Sequence, residues 1–168
     1  AFEIIRCLVG SEMCIRDSSA AIESGNEDPN TRVIVIKATG PAFSAGHDLR
    51  ETRRRDDEDE SEWQVRIDAI LQDCAAMMTS ILHAPKPIIA CVQGIASAAG
   101  CQLVSACDLA IASEDATFCT PGVNIGTFCT TPLVGIGRNL SRKHALEMAL
   151  TGDQFDAATA ERLSLIHI

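Results

Sequence analysis

Apolar runs and turn residues alternate along this chain at a spacing that predicts an α/β domain. Val33-Ile34-Val35-Ile36 is a continuous β-branched run, the composition of a strand covered on both faces. Thr39-Gly40-Pro41 then turns the chain. Trp63, Ile67, Ile70, Leu71, Cys74, Met78, Ile81 and Leu82 recur at three- and four-residue steps, which predicts one long amphipathic helix ended by Pro85 and Pro87. Ahead of it, Arg53 to Glu60 carries no apolar residue and reads as a solvated loop. A second strand is expected at Ile88 to Val92, with a helix opening at Ser97 or Ala98 and running to about Ala106. Asp108 to Ala112 and Thr117 to Cys119 read as strands. Ser141 starts a helix with the stripe Ala145, Leu146, Ala149 and Leu150, closed by Thr151-Gly152, and Asp156 caps a further short helix. Ser19 to Glu23 reads as the end of a helix stopped by Gly25, Asn26, Asp28 and Pro29.

The two ends differ from the middle. Cys7 to Ser18 (CLVGSEMCIRDS) and Leu163 to Ile168 (LSLIHI) resemble the translated adapter tails of sequences assembled from short reads. Residues 1–18 and 164–168 are therefore expected to be non-native, leaving 19–163 as a partial domain with an unpaired sheet edge where an N-terminal hairpin is missing. The alternative is an ordinary terminal strand or helix in which Phe2, Ile4, Ile5, Leu8 and Val9 bury.

Length and composition narrow the function classes. A chain of 168 residues fits one domain, and 46% hydrophobic with 22% charged residues is the balance of a soluble globular protein. No apolar run approaches the roughly 20 residues of a membrane span. The net charge of −9 argues against nucleic acid, whose phosphates are held by Lys and Arg. A small anionic ligand remains compatible, because a few backbone amides or one Arg can hold it locally. The eight cysteines form no CxxC pair and several sit in apolar stretches, so they read as buried thiols in a reducing compartment, with no metal site and no disulfide framework. Cytoplasm and mitochondrial matrix fit equally.

Two junctions carry the candidate chemistry: Ala42-Phe43-Ser44-Ala45-Gly46-His47-Asp48-Leu49 and Gly94-Ile95-Ala96-Ser97-Ala98-Ala99-Gly100-Cys101-Gln102. Both read as small-residue turns after buried strands. Small residues let a ligand approach the main chain, and a helix starting there aims unpaired N–H groups at it. Two such amides meeting at one point would form an oxyanion hole for a thioester enolate or tetrahedral intermediate, where one donor is typically worth about 3 kcal/mol of barrier.

AFSAGHDL, then PKPIIACVQGIASAAGCQL, CDLAIASEDATF, TPGVNIG and ALEMALTG, in that order, resemble the enoyl-CoA hydratase (crotonase) superfamily over nearly all of residues 20–163. The resemblance implies a ββα spiral fold, an acyl-CoA ligand, no metal or other cofactor, and trimers or dimers of trimers assembled through helices beyond Leu163. It places the first oxyanion amide on His47 and the second on Ala99. Ala45, Gly46, His47, Asp48, Leu49 and Arg50 then border the ligand, with Arg50 able to meet a CoA phosphate. Since the inherited role belongs to the backbone, the His47 imidazole reads as a surface or loop side chain, and Asp48 either caps the next segment or touches ligand.

The resemblance also shows departures. Family hydratases use two glutamates, and their positions here are Gln102 and Gly122, neither of which can accept and return a proton. Hydratase chemistry by the usual route is therefore not expected. Cys119, Thr120, Asn124, Thr130 and Thr131 lie near the second departure and read as packing or loop residues. One alternative is a non-catalytic acyl-CoA binder or assembly partner. Another is an α/β serine hydrolase, because Ala42-x-Ser44-x-Gly46 approaches a nucleophile elbow, although the preceding strand ends too early.

Overall fold

The computed structural model describes residues 1–6 and 8–167, with side chains for 1–4 and 11–167. Cys7, counted above among the thiols, and Ile168 lie outside the described residues. The chain enters through strand β1 (Phe2–Arg6), strand β2 (Leu8–Gly10) and helix α1 (Glu12–Glu27), and continues through β3 (Ile34–Ala38), β4 (Ala42–His47), the short helix α2 (Leu49–Thr52) and the long helix α3 (Glu60–Leu82). A third turn is β5 (Ile88–Val92), β6 (Ile95–Ser97) and α4 (Ala99–Ala106). β7 (Leu109–Ala112) and β8 (Thr117–Cys119) follow, then a 3₁₀ turn at Pro121–Ile125, α5 (Thr130–Asn139), α6 (Arg142–Thr151), β9 (Phe155–Asp156) and α7 (Ala157–Arg162).

Successive strands alternate between two sheets. One has the order β1-β3-β5-β7 and is parallel throughout; the other runs β2-β4-β6-β8-β9 and is parallel except for its last pair. This is the ββα spiral the motifs imply, and it explains the β-branched run: Ile34 and Ile88 stand side by side in register, both fully buried. Ile22, Phe43, Phe118, Ile136 and Met148 complete the centre of one hydrophobic core.

Helix α3 is the predicted amphipathic helix. Asp59 and Glu62 form a capping box at its start, and it buries Ile70, Cys74, Met77, Met78 and Ile81. The charged run before it is more than a solvated loop. The Arg66 guanidinium donates to both carboxylate oxygens of Glu58 (2.7 and 2.6 Å), to the Arg53 carbonyl oxygen (2.9 Å) and to the Glu51 carbonyl oxygen, so the loop is tied to α3. Trp63 adds a hydrogen bond from its indole N–H to the Thr52 carbonyl.

Three expectations change. Helix α1 is not stopped at Gly25 and Asn26 but continues to Glu27, because Gly25 is buried where a side chain would press on Ile34 and Phe2. The segment Ala42 to His47 is a strand rather than a turn, paired on one side with β2 and on the other with β6. Helix α5 has no counterpart among the elements read from the pattern; Pro132 lies in its first turn, where proline is tolerated, and Gly135 lets α5 press onto Ser105 of α4. The chain before Ser19 supplies β1, β2 and much of α1, so β3 and β4 each have a neighbour on that side. At the other end Leu165 and Ile166 are buried, and His167 exchanges hydrogen bonds with both backbone groups of Ala110. No helix among the described residues is long and apolar enough to cross a membrane.

Candidate functional site

β4 and the start of α4 meet at a small cavity of about 30 Å3. Ser44, Gly46 and His47 line it from β4, and Ala99 and Leu103 from α4. Helix α1 adds Cys14, Ile15 and Ser18, and α3 adds Cys74, Met77 and Met78. The approach of the two loops depends on small residues. Gly46 has φ +84°, and a Cβ there would lie 3.0 Å from the Ala98 Cβ, 3.1 Å from the Ser97 carbonyl oxygen and 3.3 Å from the Ala99 nitrogen. Gly100 abuts the Ser44 backbone, where a Cβ would stand 2.4 Å from the carbonyl oxygen.

Ala98, just before α4, has the backbone conformation φ 50°, ψ −114°, which an L-residue rarely adopts. Its N–H donates to the Cys119 carbonyl (2.9 Å) and its carbonyl accepts from Gln102 (3.0 Å), which pins the residue in place. Ala99 is the first residue of α4, so its N–H has no partner within the helix and stands at the positive end of the helix dipole.

The His47 imidazole is not a surface side chain. It is half-buried on the cavity wall, and Nδ1 is enclosed without a hydrogen-bond partner. Burial pushes the imidazole below its ordinary pKa, against a smaller upward pull from the Glu51 carboxylate. Asp48 caps α2, accepting from the Arg50 N–H (2.9 Å), and its carboxylate pairs with the Arg50 guanidinium (2.7 Å), which holds its pKa down at about 2. Arg50, Leu49 and Ala45 are exposed.

The other two predicted positions stand apart from this cavity. Gln102 is half-buried, its Oε1 enclosed without a partner, and it lines a separate cavity of about 360 Å3 with Ser105, Thr131 and Arg138. Gly122 is buried in the 3₁₀ turn, where a Cβ would lie 3.0 Å from the Cys129 Sγ, and lines neither cavity. Thr120 is buried and donates to the Met148 carbonyl, while Asn124, Thr130 and Thr131 are exposed. Ser44 is buried inside β4 and accepts from the Gly46 N–H (3.4 Å); it does not stand on a strand-to-helix elbow.

Sequence reasoning missed the α1 wall and Met77. Cys74 and Met78 were on the helical stripe, but nothing local marks which part of a stripe faces a cavity. Cys74, Cys91, Cys101, Cys107, Cys119 and Cys129 are free thiols, and burial holds those of Cys74, Cys101, Cys107 and Cys119 above their ordinary range, hence protonated and unreactive. Among the described residues no three His, Cys, Asp or Glu side chains are grouped to hold a metal ion.

A family model described as enoyl-CoA hydratase/isomerase matches residues 11–167. The chain is 46% identical over 140 residues to the mitochondrial enoyl-CoA hydratase domain-containing protein 3 of Danio rerio, a match covering 83% of this chain and 46% of that protein. To the Homo sapiens protein of the same name it is 46% identical over 129 residues, covering 77% of this chain and 41% of that one. The crystal structure of human enoyl Coenzyme A hydratase domain-containing protein 3 superposes with a TM-score of 0.88 at 37% identity, covering 98% of this chain and 65% of that structure. The chain thus spans less than half the length of these curated relatives. With a family model matched over almost its whole length and the ββα spiral shared with a solved relative, the chain belongs to the enoyl-CoA hydratase/isomerase family and has the crotonase fold.

Proposed function

We propose that this chain binds an acyl-CoA thioester with the carbonyl oxygen between the backbone N–H groups of His47 and Ala99. The observation that carries this reading is the packing of Gly46 against Ala98 and the Ala99 nitrogen, which puts the residue after Gly46 and the first residue of α4 on one cavity. Such a pair of amides stabilises negative charge developing on a carbonyl oxygen. Ala45, Gly46, Asp48, Leu49 and Arg50 border the entrance in this reading, and the exposed Arg50 guanidinium offers charge to a CoA phosphate; its pair with Asp48 is a surface ion pair of little strength. The thioester is the ligand, and no further cofactor enters.

The usual glutamate pair is replaced by Gln102 and Gly122, and neither residue lines the cavity of His47 and Ala99. That favours, as second reading, a protein that binds acyl-CoA without hydrating it or that assembles with active relatives. Trimers or dimers of trimers belong to the same proposal and are tested by light scattering on a full-length homologue. Free, protonated thiols support a reducing compartment, cytoplasm or mitochondrial matrix; the two curated relatives named above are mitochondrial.

A thermal-shift panel tests the reading, because a ligand of the folded state raises its stability by mass action. Short acyl-CoA thioesters are expected to raise the melting temperature more than free CoA does. No shift with any thioester overturns the proposal.

A further inference from the structure

We infer that the imidazole of His47 is the proton-transfer group of this site, moving a proton between the α-carbon of a short acyl thioester and water. The inference rests on the thioester reading above. It starts from what the cavity wall contains. Ile15, Met77, Met78 and Leu103 are apolar, and Ser44 is an alcohol that does not titrate near neutrality. Among the lining side chains the imidazole is the one group that accepts and returns a proton in the neutral pH range.

Its environment is that of a group awaiting a partner. Nδ1 is enclosed and has no hydrogen-bond partner among the described protein groups. The titratable groups around the ring are Asp48 and Glu51 on the following segment, Cys14 on α1 and Cys74 on α3. Asp48 is committed to Arg50, burial keeps the Cys74 thiol protonated, and the Glu51 carboxylate accepts from the Glu12 N–H of α1. Burial of the ring outweighs the pull of Glu51, so the neutral, proton-accepting form dominates at neutral pH. The residue therefore supplies two functions from one position: its N–H to the oxyanion and its ring to the adjacent carbon. This offsets the loss of proton-transfer groups at 102 and 122.

The step balances without a further reactant. The α-carbon C–H bond breaks and an N–H bond forms on the imidazole, while the electron pair passes to the thioester oxygen as an enolate held by the two amides. The imidazolium then exchanges with water and returns a proton to the carbon. The cavity is small, about 30 Å3, which favours a short acyl group.

The test is α-hydrogen exchange of acetyl-CoA and butyryl-CoA in D2O, followed by mass spectrometry, with binding by calorimetry and folding by circular dichroism. The wild-type chain is expected to exchange acetyl-CoA above the solution background, at a rate that rises with pH through the imidazole titration. His47→Gln and His47→Asn, which keep the backbone N–H, are expected to lose about a hundredfold or more in rate while affinity is retained. Equal exchange in a folded His47→Gln chain overturns the inference, as does binding without exchange in the wild type. If neither variant folds, a wild-type rate that does not change across the titration overturns it, and one that rises with pH supports it. If the wild type binds no thioester, this inference and the reading beneath it both fall.

Discussion

Gly46 packs against Ala98 so closely that even a methyl group there would force its neighbours to give, and its positive φ strains an ordinary residue a second time. Gly40 shares the positive φ but has open space around it. Gly40→Ala is therefore expected to cost only the backbone term, about 1–2 kcal/mol. Gly46→Ala adds the clash, costs more in urea unfolding, and abolishes the thioester-induced thermal shift that Gly40→Ala retains.

Ala98 bears the opposite burden, since it is an alanine in a conformation suited to glycine. Ala98→Gly is expected to stabilise the chain by about 1 kcal/mol, the order of strain stored at such positions. Urea midpoints at a constant m-value check it; a loss of stability would mean that the Ala98 methyl contributes more by packing than the backbone loses.

Glu58 and Arg66 predict a specific acid sensitivity. The guanidinium hydrogen bonds hold the Glu58 carboxyl down at about 2, against an ordinary 4.5. A depressed carboxylate adds stability that is fully present above the ordinary value and is lost as pH falls through the folded one. Melting temperature should therefore drop between pH about 4.5 and about 2, and Glu58→Gln should reduce that drop while lowering stability at pH 7. Arg66→Ala should destabilise at neutral pH as well, because it frees the carbonyls of Glu51 and Arg53 together with Glu58.

Gly122 is tight. A Cβ there meets the Cys129 Sγ at 3.0 Å, the Cys129 nitrogen at 3.2 Å and the Thr127 Cγ2 at 3.3 Å. Gly122→Ala is expected to cost about 1 kcal/mol or more through overpacking, and Cys129→Ala to recover part of it. A double-mutant cycle in urea measures the coupling, with additivity as the contrary result. A glutamate placed at this position would meet the same obstruction.

The long helix, the buried strands and the Asp156 cap were legible because each leaves a periodic or capping pattern; Asp156 indeed accepts from the Thr159 N–H at 2.7 Å. Strand β4 was not, since Ala42, Ser44, Ala45 and Gly46 carry no hydrophobic alternation and owe their extension to neighbours on both sides. Helix α5 hid behind a proline and two glycines, of which Gly135 serves close packing against Ser105. The two proposed amides rest on the ordered motifs alone, because a backbone N–H leaves no signature of its own in composition. The His47 ring was misplaced for a related reason: its burial is set by α1 and α3, far away in sequence.

The alternation of strands between two sheets has a mechanical consequence. β3 lies between β1 and β5, and β5 between β3 and β7, so within this sheet each coil hydrogen-bonds only to the coils before and after it. Such a stack behaves as a one-dimensional array, in which order spreads from coil to neighbouring coil and damage to one is felt most by the adjoining two. The cavity beside His47 and Ala99 joins α1, β4, α3 and α4, spanning three successive coils. A fault in any of these three can therefore deform the cavity while more distant coils stay folded.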